Sequence, residues 1–286
     1  MSASATREMS QVDQLSDSFR LALMRCKDDP SQSILSPDLA CLLLMPPSQS
    51  SKDYCCDDYC CNDAGHRILG LPRRPYYREL ARRMMHISGE DDPLHPAEDL
   101  GMSELPSSKN IRIPLQPGEF SEESCFDWLK EAGDDGILRV LGMRTTVGTE
   151  VGLLPPDWDE LLAASRLPHR DLAPPHDSLT VAGRARCKHA HRGSQDDFFG
   201  EVTGGTRQKN EAAERVLVKI LRDAAWINIH RSTGIDETVL EVRVAAGFGA
   251  RWTADWSLDP AKPTAVAFRG FLEPNQIDGH QKRWRH

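Results

Sequence analysis

The sequence predicts an α+β fold whose C-terminal part is an antiparallel β-meander packed by helices. Two observations carry this. Four short stretches, Trp226 to Arg231, Thr238 to Ala245, Phe248 to Ala254 and Ala265 to Leu272, alternate apolar and polar residues and are separated by Gly234, Gly247 and Gly249. Strands this close in sequence pair antiparallel, since a parallel pair needs a long crossover. The second observation is the segment before them. From Thr206 to Ala225, the residues Ala213, Val216, Leu217, Ile220, Leu221 and Ala224 recur at helical spacing and make one apolar face.

The elements upstream follow in order. Residues 11–27 read as an amphipathic helix, with Ser10 as cap, Val12, Leu15, Phe19, Ala22 and Cys26 near one face, and Asp28-Asp29-Pro30 as the stop. Ser36-Pro37 opens a second, short helix on Leu39, Leu42 and Leu43. Together they form a helical hairpin over 1–45, too short to stand alone. Residues 46–66 lack any periodicity and read as a Cys-rich flexible connector. A helix over 67–88 starts at Pro75, with Tyr77, Leu80, Met84 and Ile87 as its stripe and Arg78, Arg82 and Arg83 around it. The stretch 89–110 is Pro-rich and acidic, a linker. The α+β domain spans 111–286.

Within that domain, Ile111 to Leu115 is expected as a short edge strand. Ser121 caps a helix that ends at Gly133, and Ile137 to Val147 reads as β-like. Asp157 and Glu160 form a capping box for a helix to Ser165. Ser178 caps a small-residue helix reaching about His191.

The chain has 286 residues, 39% hydrophobic and 27% charged, with 20 Gly and 19 Pro. Its longest apolar run, Leu39 to Met45, is far short of the roughly 20 residues a membrane span needs, so no membrane is expected. The first ten residues lack a basic region followed by an apolar one, so a cytoplasmic or nuclear location is expected, with the 8 cysteines as reduced thiols. The net charge of −8 is uneven: residues 181–286 hold 17 Lys/Arg against 13 Asp/Glu, while the rest of the chain is acidic. That excess is too small for a nucleic-acid footprint, and nucleic acid is not expected as a partner.

Alternation along the strands places one ionisable residue after another on the face opposite the core. Asn228 and His230, Glu241 and Arg243, Arg251 and Arg269 form the candidate cluster. Three guanidiniums suit a carboxylate or phosphate in forked geometry. His230 and Glu241 are the candidate acid/base pair, and Asn228, Arg243, Arg251 and Arg269 the candidate ligand-binding residues. The competing account is a solvated face, which antiparallel sheets commonly carry. Trp226 on that face argues for something covering it.

Two Cys/His runs were weighed for metal. Cys55-Cys56 and Cys60-Cys61 crowd four thiols into seven positions, which strains a single tetrahedral zinc site. Cys187, His189 and His191 fit a helix end where basic groups favour the dipole. Thr203-Gly-Gly-Thr206 feeds a helix N-terminus, a weak anion-binding signal. There is no GxxxxGK[ST] loop, GxGxxG, HExxH or GxSxG. The expectation is therefore a small anionic ligand on the polar sheet face. The alternatives are a non-catalytic scaffold, engaging a protein partner through its N-terminal half, and a zinc-binding protein. No cofactor is indicated.

Overall fold

The computed structural model describes residues 3–29, 35–46, 70–86, 120–170, 178–190, 197–232, 237–258 and 263–274. The expected strand at Ile111, the thiol run Cys55 to Cys61 and His191 lie outside them. The chain divides into two compact units, one built from 1–68, 72–95 and 105–144, the other from 69–71, 96–104 and 145–286.

The first unit is helical. Among its described residues are α1 (Ala3–Asp28), α2 (Pro37–Leu43), α3 (Tyr76–His86) and α4 (Glu122–Val140). Leu15, Phe19, Ala22, Leu23 and Cys26 of α1 are buried at the spacing the sequence predicts, and Phe19 meets Trp128 of α4 edge-on at 5.6 Å. Ser36 caps α2 by accepting from the Leu39 amide. Ser121 caps α4 reciprocally with Ser124.

Three expectations fail in this unit. Helix α1 begins at Ala3, so Ser10 lies inside it and is not its cap. Gly133 does take a positive φ of 62°, as a helix stop does, but the chain re-enters helix and continues to Val140. The stretch from Ile137 that reads as β-like is therefore helical over its first turn. A short apolar run does not distinguish a buried strand from a buried helix. Ile137 and Val140 are fully buried there. The stripe of α3 is also rotated: Tyr76, Leu80, Ala81, Met84 and Arg83 face inward, and Tyr77 is half-buried.

Arg83 is 1% exposed. Its Nε donates to Glu79 Oε1 at 2.6 Å and its Nη1 to the Val140 carbonyl, one of the orphan acceptors at the end of α4. Arg82 grips the same carboxylate through Nε and Nη2. Burial alone would raise the Glu79 pKa, but Arg83 and Arg82 outweigh it and hold it at about 2, against an ordinary 4.5.

The second unit holds α5 (Trp158–Arg166), α6 (Val181–Ala190), a 3-10 turn at Asp197–Phe199, α7 (Thr206–Arg222) and the strands β1 (Ala224–Arg231), β2 (Thr238–Val244), β3 (Gly249–Asp255) and β4 (Thr264–Leu272). The sheet is antiparallel in the order β1-β2-β3-β4, the meander predicted from the sequence. Asp157 and Glu160 box the start of α5, the Asp157 amide donating to Glu160 Oε2 at 2.8 Å. Helix α6 starts later than expected: Thr180, not Ser178, is the cap, its hydroxyl accepting from the Gly183 amide at 2.9 Å.

One sheet face carries Ile227, Ile229, Leu240, Val242, Ala250 and Trp252, all buried. Helix α7 packs on β2 and β3, and α5 on β4. Trp252 ties helix to sheet, its Nε1 donating to the Leu161 carbonyl at 3.2 Å and to Ser165 Oγ at 3.1 Å. The β2–β3 turn needs Gly247, at φ 84°, and Gly249 lies so close to Val242 that a Cβ would overlap its carbonyl oxygen at 2.3 Å.

The folded pKa of Glu79 is depressed, so its contribution is present in full above pH 4.5 and is lost as pH falls toward 2. The shift corresponds to a contribution on the order of 3 kcal/mol. In Glu79→Gln this acid dependence disappears, and Arg83 is left without its carboxylate at a cost of about 3–5 kcal/mol. Hydrogen exchange across 76–86 and 122–140, compared at pH 3 and pH 6, measures both effects. Unchanged protection in the variant would remove the pair from the stability of this unit.

Candidate active site

The second face of the sheet is the polar one, and the strand registers place its residues in rows. Asn228, Glu241, Arg251 and Gly270 are successive cross-strand partners, as are His230, Val239, Thr253 and Ala267. Trp226, Arg243 and Gly249 form the neighbouring row. Residues so placed on one face have Cβ atoms about 4.5–5.5 Å apart.

This face is not solvated. Asn228 is 0% exposed, Trp226 1% and Arg243 3%. Polar groups withdrawn from water call for partners, and apart from the Trp226 indole nitrogen, which has none among the described residues, they find them in two groups.

In the first group, Arg243 Nε donates to Glu241 Oε1 at 2.6 Å, and Arg243 Nη1 donates to the carbonyls of Gly247 at 2.7 Å and Glu273 at 3.0 Å. Arg243 thereby closes the β2–β3 turn and holds the chain leaving β4. Arg243, a candidate ligand-binding residue, sits in this network because β2 is an inner strand and its guanidinium finds carbonyls before solvent. Glu241 is committed to the same pair.

The second group centres on His230. Its Nδ1 lies 2.9 Å from Asn228 Oδ1, and Asn228 Nδ2 donates to Thr149 Oγ1 at 2.7 Å. Thr149 belongs to a segment laid along the outer edge of β1. It bridges His230 in antiparallel fashion, the Glu150 amide donates to the Ile229 carbonyl at 2.8 Å, and the Arg231 amide donates to the Gly148 carbonyl at 3.0 Å. A tight turn from Thr146 to Thr149, with Gly148 at φ 90°, delivers the threonine. Thr149 is absent from the sequence-based cluster. The signal was a glycine two residues after a Thr pair, and a turn motif does not say which strand it will edge.

Arg251 lies across Glu241 from Asn228 and is half-buried. It makes no hydrogen bond among the described residues, yet it is close enough to His230 to lower its pKa. Arg269 does not join the row. A bulge in β4 pairs Arg251 with Gly270 and Trp252 with Phe268, skipping Arg269, whose side chain is 40% exposed and 3.7 Å from Glu237. His230, Asn228, Glu241, Arg243 and Arg251 are therefore brought together, and Arg269 is not.

The imidazole of His230 is held below its ordinary pKa, first by burial and then by Arg251, with Glu241 opposing. Neutral imidazole with a free nitrogen is a base, and a guanidinium beside it is a site for a phosphate oxygen.

A cavity of about 320 Å³ lies elsewhere, among α5, α6 and α7. Arg166 and Glu214 pair across its wall, and Asn210 spends its amide on Thr180 and Ser178. The glycine turn before α7 is closed as an anion site by its own side chain, Gln208 Oε1 accepting from the Gly205 amide at 2.9 Å. His189 on α6 pairs with Glu273 at 3.0 Å. Among the described residues, no three His, Cys, Asp or Glu side chains gather where a metal ion would bind, and no helix is long and apolar enough to cross a membrane.

The titration of His230 tests the geometry of the face. Its midpoint is expected below 6.5, and Arg251→Gln moves it upward. Imidazole C2–H shifts recorded against pH measure both, and a midpoint that does not respond to Arg251→Gln would separate the two residues.

Against known families, residues 171–273 match the model described as the CdiA C-terminal tRNase toxin domain. The match covers α6, α7 and all four strands, though well under half of the chain. Neither the curated proteins nor the solved structures yield a match. The family match overturns the functional expectation drawn from the sequence. A small anionic ligand, a non-catalytic scaffold and a zinc-binding protein all give way to similarity with a toxin nuclease domain. The reason those readings missed it is that the similarity rests on the sheet and its flanking helices, with no short motif to announce it.

Proposed function

We propose that the second unit is an RNA-cleaving toxin domain acting on tRNA, with its active centre at His230 and Arg251. The supporting observation is that the stretch resembling a tRNase toxin domain contains the buried polar face on which a neutral histidine stands beside an uncommitted guanidinium. This reading gives the chain a nucleic-acid partner where its charge balance predicts none. Residues 171–273 hold 14 Lys/Arg and 14 Asp/Glu, so net charge over that stretch carries no signal in either direction.

The chemistry follows from the substrate. An RNA phosphodiester carries its own nucleophile, the ribose 2′-hydroxyl. A base at Nε2 of His230 takes that proton as the O2′–P bond forms and the P–O5′ bond breaks. The products are a 2′,3′-cyclic phosphate and a 5′-hydroxyl, the leaving oxygen being protonated from solvent. Arg251 stabilises the charge that builds on the non-bridging oxygens. Glu241, paired with Arg243, acts on His230 through its charge.

Purified full-length chain incubated with total tRNA in buffer containing a divalent cation is expected to yield discrete fragments ending in cyclic phosphate. His230→Gln and Arg251→Ala should each lower the rate by about 10²-fold or more, with far-ultraviolet circular dichroism unchanged. Intact tRNA after incubation with the wild-type chain, or cleavage by both variants at the wild-type rate, would overturn the assignment.

A further inference from the structure

The chain Thr149–Asn228–His230 has a polarity. Thr149 Oγ1 accepts from the Thr146 amide at 2.8 Å, an N–H that can only donate. The same oxygen lies 2.7 Å from Asn228 Nδ2, which also only donates. Asn228 Oδ1 faces His230 Nδ1 at 2.9 Å, and a carbonyl oxygen can only accept. With the Asn228 amide in this orientation, Nδ1 of His230 carries the hydrogen, and Nε2 is left with its lone pair. Asn228 is fully buried, so its amide is held by these bonds and the walls around it.

We propose that Asn228, anchored by Thr149, is a positioning residue that holds His230 as the Nδ1–H tautomer and so presents Nε2 as the reactive nitrogen. Thr149 lies outside the stretch resembling the tRNase domain, on the segment that edges β1. The two halves of the device are thus 79 positions apart and meet only through the fold. The charged groups facing the ring are Glu241 from β2 and Arg251 from β3, and neither makes a hydrogen bond to Nδ1. The tautomer is therefore the business of Asn228 alone. The inference leans on the RNA-cleaving reading for the identity of the proton Nε2 removes, and on nothing else in it.

The test reads the tautomer directly. Full-length chain labelled with 15N in its histidine rings is examined by long-range 1H–15N correlation above the titration midpoint, the His230 signals being assigned by their loss in His230→Gln. The expected pattern is a protonated Nδ1 and an unprotonated Nε2. Thr149→Val keeps the side-chain shape and removes the anchor. Asn228→Leu removes the acceptor. Either should shift His230 toward a mixture of tautomers, while Thr149→Ser, which keeps the hydroxyl, retains the wild-type pattern.

In tRNA cleavage, Thr149→Val is expected to lower kcat on the order of tenfold with little change in KM, by analogy with the loss seen when partners that orient a metal-ligating imidazole are removed. A wild-type ring protonated at Nε2, as a flipped Asn228 amide would require, overturns the proposal. So does a tautomer indifferent to both Thr149→Val and Asn228→Leu. The expected tautomer, responding to both variants in a chain that leaves tRNA intact, supports the positioning role and overturns the RNA-cleaving reading instead.

Discussion

A carboxylate and a guanidinium withdrawn from water on an inner strand govern the polar face of this sheet. Glu241 and Arg243 lie two residues apart on β2, and neither has solvent to fall back on. Such a pair gives little net stability over an apolar one, but removing either partner is expensive. Its effect is organisational. Arg243 reaches the carbonyls of Gly247 and Glu273, so one side chain gathers the β2–β3 turn and the exit from β4. With Arg243 satisfied by Glu241, Arg251 on the next strand is left without a carboxylate of its own.

That division separates structure from chemistry on a single face. Of the three arginines that alternation suggests, one is consumed by the fold, one is turned aside by a bulge, and one remains available. Arg251 keeps company with His230, whose imidazole is biased toward neutrality chiefly by burial, with Glu241 opposing and Arg251 adding to it. A cation beside an imidazole opposes its protonation and so favours the neutral ring. The apolar face, meanwhile, supplies the rigidity. Trp252, bonded into α5 through Leu161 and Ser165, holds β3 and therefore Arg251 against a helix.

The alternating pattern from Trp226 to Leu272 was enough to read the meander, its faces and five of the six residues of the candidate cluster. Period-two alternation is a local property of the chain, and local properties survive in sequence. Arg269 was misplaced because a bulge adds one residue to a strand without altering its composition. Ile137 to Val140 was misread because a short apolar run lacks the length to reveal its period. Arg83 read as lying beside the apolar stripe of its helix, and only the meeting of α3 with the end of α4 turns it inward.

Taken alone, the sequence determined the antiparallel order of the strands, the amphipathic helix before them, most of the caps and the polarity of each sheet face. These depend on neighbours a few residues apart. Tertiary structure decided which of the polar residues are spent and which are free. It also brought Thr149 to Asn228 and so set the hydrogen on His230, because a hydrogen-bond chain between distant segments exists only once the edge of β1 has been covered. Burial did the rest: a side chain that alternation places on a polar face becomes a base, a strut or a solvated charge according to how much water remains beside it.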